Sequence, residues 1–274
     1  MTDDDAFIRA IVDNPGDDLP RLAYADWLDD RADPRGAYLR VEAEWAKPWK
    51  TGTPPGWSVR QPGMRVPEWA VEPWPGLEEM LTRTAAYDPV WVARVSRPPV
   101  GVCCDHIQFS DSLPHLTPDD LVVAEETLGT AFPPPLIAFL LNYNGGTPSR
   151  MQLVHRSGSE ADGWESDWVS LEFFAGWPTN PKAKSESSTT ILELREEITS
   201  FEGDLEAFGG EDILTQYVPF AGCPSYPPWI LLVAVSSPHA GGVFSVILDE
   251  EQPTSVLLVP SIPQLLARII TGYI

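Results

Sequence analysis

The chain has 274 residues, 43% of them apolar and 10% aromatic, enough for one large or two ordinary domains with real cores and too hydrophobic for a disordered chain. Its formal net charge of −22 disfavours nucleic acid and anionic membrane as partners and favours a basic protein, or solubility alone. Three cysteines form no disulfide framework, the acidic start "MTDDDAFIRA" is unlike a signal peptide, and the longest apolar run, "WILLVAV", is far too short to span a bilayer. A reducing cytoplasm is therefore the expected location.

In chain order, "DDDAFIRAIVDNPGDD" predicts a short helix. Asp3 to Asp5 sit at its positive end, Asn14-Pro15-Gly16 stops it, and Phe7 and Ile11 share a face. "DDLPRLAYADWLDDRADPRGAYLRVEAEW" predicts two more helices. Pro20 suits a first turn, Leu22, Ala23, Tyr24, Trp27 and Leu28 form an apolar stripe, and Asp33-Pro34 marks the turn before Tyr38, Leu39 and Val41. Arg21, Asp26, Asp33 and Arg35 invite reading as a charged site. Structural ion pairs are the commoner source of such a cluster and are expected here. The series Pro20 to Leu22, Tyr24 to Leu28 and Asp33 to Gly36 resembles a short bacterial repeat-companion domain over Phe7 to Glu42. It departs at Asp29-Asp30, where that family usually has Glu, and at Ala32, where it usually has Gly. The resemblance implies a modular N-terminal attachment and no chemistry.

Trp45 to Gly76 mixes five Trp with seven Pro. Disordered linkers are poor in aromatics, so this stretch is expected to lie on its own domain as a cover, with a ligand for an aromatic groove as the alternative. "GLEEMLTRTAAYDPVWVARV" then predicts a helix carrying Leu77, Met80, Leu81 and Thr84, and a packed turn onto a strand. "PPVGVCCDHIQFSDS" alternates as a strand. Within it Cys103, Cys104, Asp105 and His106 suggest a metal. On a strand, however, neighbours point to opposite faces, and zinc patterns want spacers between ligands, so no metal site is expected.

The second half opens with "HLTPDDLVVAEETLGTAF". Thr117 is a good N-cap, Pro118 a good first residue, Asp120 completes a capping box, Leu121, Ala124 and Leu128 line one face, and Gly129 ends the helix. In "FPPPLIAFLLNYNGG", Pro133 to Pro135 set the entry of a second helix. Leu136, Phe139, Leu140 and Tyr143 form its core stripe, and Asn144-Gly145-Gly146 stops it with residues that accept positive φ. "SRMQLVHR" and "DWVSLEFF" read as paired strands around a polar loop, and "TTILELREEITSFEGDLEAF" as helix. "QYVPFAG", "WILLVAV", "GGVFSVILD" and "TSVLLVP" read as four more strands, and "SIPQLLARIITGYI" as a closing helix. The order gives an α+β fold: a small helical N-terminal module with a Trp/Pro-rich extension, then a mixed or antiparallel sheet of about six strands flanked by helices. The expected division is 1–112 and 113–274.

This second half resembles the SUKH superfamily over Leu116 to Ile270. The resemblance rests on a first helix ending in Leu128-Gly129, and on Phe132-Pro133, Phe139 to Leu141 and Asn144 to Gly146 in the second. It continues with Val218 to Ala221 and the glycine-led strand Gly242 to Leu248. It departs at Gly222 to Trp229, "GCPSYPPW", where the family often has an Asp or Asn and a Gly. The resemblance implies a non-catalytic bacterial immunity protein that binds a toxin, often a nuclease, with no cofactor; other members are scaffolds or regulators.

Charge agrees in kind. From His115 onward there are 21 acidic and 6 basic residues, net −15. A nuclease holds polyphosphate on a basic face, to which an acidic inhibitor is steered. Two runs are candidates for partner binding. One sets Glu160, Asp162, Glu165, Asp167 and Glu172 around Trp164 and Trp168. The other carries seven acidic residues from Glu196 and Glu197 to Asp212. A solvated rim is the alternative for both. No catalytic constellation is found: none of the four histidines (His106, His115, His155, His239) stands beside a carboxylate pair, and there is no phosphate loop or nucleophile elbow. The rival to an immunity protein is a scaffold recruiting partners through both halves.

Overall fold

The computed structural model describes residues 2–46, 76–105, 107–148, 152–156, 167–179, 188–200, 213–223, 229–236, 238–248 and 254–271. The Trp/Pro-rich stretch therefore lies almost wholly outside the described residues. Three helices open the chain: α1 (Asp3–Asp13), α2 (Leu19–Asp29) and α3 (Arg35–Ala46). Thr2 caps α1 in a reciprocal capping box with Asp5. The stripe on α2 sits differently from the sequence expectation. Tyr24 and Leu28 are buried, but with Arg21 and Ala25, whereas Ala23 is exposed and Leu22 is 37% exposed. The cause is Arg21, whose buried ion pair with Glu42 of α3 turns that edge of the helix inward. With α4 (Leu77–Thr84), these helices close a first core of Ile8, Ile11, Tyr24, Leu28, Tyr38, Leu39 and Met80, filled by Trp91.

Trp91 belongs to α5 (Pro89–Val95), where the sequence suggested a turn onto a strand. Asp88 caps it, its carboxylate accepting from the Trp91 N–H at 2.7 Å, and Pro89 stands at the first position. Among the described residues, the strand expected across 98–112 is likewise confined to β1 (Phe109–Ser110). The preceding residues fold back on α5: Val102 N–H donates to Ala93 O at 2.8 Å and Cys103 N–H to Ser96 O at 3.0 Å. This stretch is buried on both sides because two cores meet across it. Val95, Val100 and Cys103 belong to the first, and Ala93, Val102, Cys104 and Ile107 to the second.

The second core carries the rest of the chain. α6 (Pro118–Leu128) has the expected Thr117–Asp120 capping box and ends at Gly129 with φ 69°. α7 (Pro134–Asn142) buries Leu136, Ala138, Phe139, Leu140 and Leu141. After α7, β2 (Thr147–Pro148) pairs with β1. β3 (Gln152–Arg156) and β4 (Asp167–Leu171) form the expected antiparallel pair, and β4 runs straight on to β5 (Phe173–Phe174). Beyond α8 (Ile191–Ser200) and the short α9 (Ile213–Gln216) come the four expected strands: β6 (Tyr217–Cys223), β7 (Trp229–Ala234), β8 (Val243–Ile247) and β9 (Thr254–Val259). A five-stranded antiparallel sheet runs β5-β6-β7-β8-β9. Pro219, which has no N–H to give, sits where the β6–β7 register shifts. The closing helix is shorter than its sequence suggests. α10 (Ile262–Arg268) starts at the Ser261 cap, and Ile270–Thr271 leaves it as β10, completing a second sheet, β10-β3-β4. All named strands pair antiparallel, and the architecture is α+β.

We propose that 1–112 and 113–274 are two folding units sharing a seam. Expressed alone, 113–274 is expected to fold yet to melt well below the full chain. It lacks β1 and Phe109, whose ring lies 5.8, 4.8 and 5.3 Å from Phe139, Tyr143 and Phe174. Restoring 89–112 is expected to recover most of the difference in a thermal melt. Equal melting of the two fragments would show that the seam carries no stability.

Candidate protein-binding face

Asn144, Gly145 and Gly146 hold this unit together behind any face it presents. Their φ values are 48°, 78° and 120°, three successive left-handed residues. That reversal aims the buried Asn144 side chain inward. Its Nδ2 donates to Pro114 O at 2.6 Å and Trp177 O at 3.1 Å, and its Oδ1 accepts from Trp177 N–H at 2.7 Å. Gly146 exchanges backbone hydrogen bonds with Phe174 at 2.9 and 2.8 Å, tying the end of α7 to β5. The motif is thus a hub joining α7, the stretch before α6 and the sheet.

The two acidic runs leave from this framework. In the β3–β4 hairpin His155 stands opposite Trp168 and Arg156 opposite Asp167, so Glu160, Asp162, Trp164 and Glu165 belong to its connection. These four lie outside the described residues, and for Asp167 and Trp168 only the backbone is described. Glu172 follows β4 and is exposed; its backbone N–H donates to Gly222 O at 3.0 Å, and its Oε1 accepts from Cys223 Sγ at 3.2 Å. On α8, Ile191, Leu194 and Ile198 face the core, leaving Glu196 and Glu197 on the outer side. Partial burial pushes the Glu197 carboxyl above the usual carboxylate range. Glu193 is occupied in a box with Thr190, its Oε2 accepting from the Thr190 N–H at 2.8 Å. Arg195 turns away, donating to Leu214 O at 3.1 Å. Asp212 lies outside the described residues. Among the outward features that sequence reasoning missed are Val122 and Val123 on α6, each 51% exposed, between Asp119 and Glu126. The signal was two adjacent valines off the Leu121–Ala124–Leu128 stripe.

The four charged residues singled out near the N-terminus do not form one site. Arg35 pairs with Asp33 at 2.8 Å and Asp4 at 3.1 Å, and those hydrogen bonds hold the Asp33 carboxyl below the usual range. Asp26 pairs with Arg40 at 2.6 Å on the surface. Arg21 is fully buried, 3.4 Å from Glu42, with its Nη2 3.2 Å from Cys103 Sγ. Burial pushes the Cys103 thiol up to about 11 and the Cys104 thiol up to about 12, so both are neutral and weakly nucleophilic. They also point into opposite cores. Among the described residues no three His, Cys, Asp or Glu side chains are placed to hold a metal ion, and no helix is long and apolar enough to cross a membrane.

No curated protein matches the chain. A family model described as SMI1 / KNR4 family (SUKH-1) matches residues 115–268, which takes in α6, α7, the Asn-Gly-Gly hub and the five-stranded sheet. That domain is consistent with an immunity or protein-binding role. With the match extending over more than half of its length, the chain belongs to the SMI1 / KNR4 family (SUKH-1).

Proposed function

We propose that the protein is a non-catalytic, cofactor-free immunity protein that binds and neutralises a basic, nuclease-type bacterial toxin in the cytoplasm. The observation that carries this reading is the coincidence of the family domain with the net −15 found from His115 onward. A toxin that grips polyphosphate presents a basic face, and an acidic surface competes for it. Glu172, Glu196 and Glu197 are exposed and belong to the proposed surface, together with the hairpin connection. Val122 and Val123 add an apolar contact bounded by acids. The alternative is a scaffold that recruits a second partner through its helical unit. It is favoured by a cleft of about 460 Å³ there, with Val41, Trp45 and Met80 among its lining residues.

The test is capture of the products of neighbouring genes by the full chain, followed by association kinetics across salt. Association is expected to slow steeply as salt rises, with dissociation changing less. Reversing Asp162, Glu165 and Asp167 to Lys is expected to slow association about tenfold or more, and Glu196→Lys with Glu197→Lys tests the helix separately. A partner whose association ignores both salt and these reversals sinks the immunity reading. If Arg83→Glu, at the exposed rim of that cleft, abolishes that partner's binding, the scaffold reading replaces it.

A further inference from the structure

We propose that Arg9, Arg94 and His115 form an anion site on the seam between the two units, and that it takes a phosphate-class oxyanion. α1 packs against α5, which brings Arg9 beside Arg94. Arg9 Nη1 is sealed from solvent and has no hydrogen-bond partner. Arg94 is held by Asn142, which is 2% exposed at the end of α7. Arg94 Nε donates to Asn142 Oδ1 at 3.1 Å, and Asn142 Nδ2 donates back to Arg94 O at 3.0 Å. The clamp fixes the guanidinium through Nε and leaves both terminal amino groups over. Among the described residues these make no hydrogen bond or ion pair. His115, just before α6, is exposed and lies within electrostatic reach of Arg9.

The arrangement is anomalous for this chain. Its 40 acidic residues outnumber 18 basic ones, and among the described residues the two buried arginines, Arg21 and Arg97, are both ion-paired. Carboxylates stand near the cluster without pairing to it. Asp5 and Asp4 act on Arg94, and Asp13 acts on His115, only at longer range. Asp5 is engaged by Thr2 at 2.9 and 2.8 Å, and Asp4 by Arg35 and Tyr24. Burial first, then the charge of Arg9, pull Arg94 below the usual guanidinium range, and the same two causes lower His115. Two half-buried guanidiniums side by side, one with a sealed and unpartnered amino group and neither in an ion pair among the described residues, repel each other, and a doubly charged tetrahedral anion relieves that repulsion. It accepts two parallel N–H groups from the oriented Arg94 fork and a further one from Arg9.

The test uses the full chain in inorganic phosphate against sodium chloride at matched ionic strength, with acetate as the carboxylate arm. A phosphate concentration about a hundred times the dissociation constant is expected to raise the melting temperature by about 5 °C, with a saturable titration. Acetate is expected to do nothing. Arg9→Gln is expected to melt at or above the unaltered chain in chloride, because it removes the repulsion, and to lose the phosphate response. Arg94→Gln is expected to lose that response too, and Arg9→Gln keeps the test open if Arg94→Gln fails to fold. No phosphate response, a response that survives Arg9→Gln, or an equal response to acetate overturns the proposal. So does an Arg9→Gln chain that melts below the unaltered one in chloride.

Discussion

Gly145→Val is expected to destabilise the chain by about 2–5 kcal/mol, adding left-handed strain on a β-branched residue to overpacking against the backbone. The φ of Gly145 is 78°. A Cβ there would lie 2.5 Å from the Gly176 nitrogen and 2.8 Å from the Ala175 carbonyl carbon. Both are main chain, so neither yields as a flexible side chain would. Gly129 supplies the control. Its φ is 69°, but an added Cβ meets nothing within 4 Å, so Gly129→Ala carries the conformational cost alone, about 1 kcal/mol. Urea midpoints of the two variants separate the effects. Equal shifts would mean that the close approach of residues 144–146 to 175–176 is without energetic weight.

Glu42→Ala is expected to cost about 3–5 kcal/mol, the usual result of breaking a buried ion pair from one side. Glu42 is fully buried; it accepts from the Arg97 N–H at 3.0 Å and Arg97 Nη1 at 3.1 Å, and is ion-paired to Arg21, whose Nε lies 3.4 Å away while donating to Val95 O. Arg21 and Arg97 are 0% and 6% exposed, so its loss strands two guanidiniums, with Asp18 left to hold one of them at 2.8 Å. By contrast Asp26→Ala breaks only the surface pair with Arg40 and is expected to change stability by about 0.5 kcal/mol or less. Denaturant titrations of both variants check the contrast, and an Asp26→Ala effect as large as that of Glu42→Ala would refute it.

Legibility in the sequence follows the range of the forces involved. α6 could be read residue by residue, because Thr117, Pro118, Asp120 and Gly129 act within one turn of themselves. The four late strands were equally plain, since each is an apolar run bounded by turn residues. α5 was misread although Asp88-Pro89 is a helix-start signal, because Val90, Trp91 and Val92 favour strands and the helix is buried on opposite sides by two cores. The run from 98 to 112 failed for the same reason. Alternation reports which way side chains point and is silent on whether a neighbouring strand accepts the backbone. On the proposed binding face, the acidic composition was visible, and so was the hairpin that presents it. The exposed Val122 and Val123 were legible too, since both lie off the Leu121–Ala124–Leu128 face, but apolar side chains are not expected to point at water and so were passed over. The Arg9–Arg94–His115 cluster left no local trace, since its members are 85 and 21 positions apart and meet only through folding.

The opposed thiols Cys103 and Cys104 act as two clocks one peptide unit apart. Each is fully buried and held in its neutral form, so a thiol reagent reacts only when the core around it opens. Read out residue by residue, because Cys223 is a third buried free thiol, the reagent then times the first core through Cys103 and the second through Cys104 in a single native chain, without a truncation or a foreign probe. If the cores breathe together, the two residues are modified at one rate that tracks global unfolding. If they breathe apart, adjacent atoms of the same segment carry different lifetimes. The step of backbone between the two thiols then marks where cooperativity in this molecule ends.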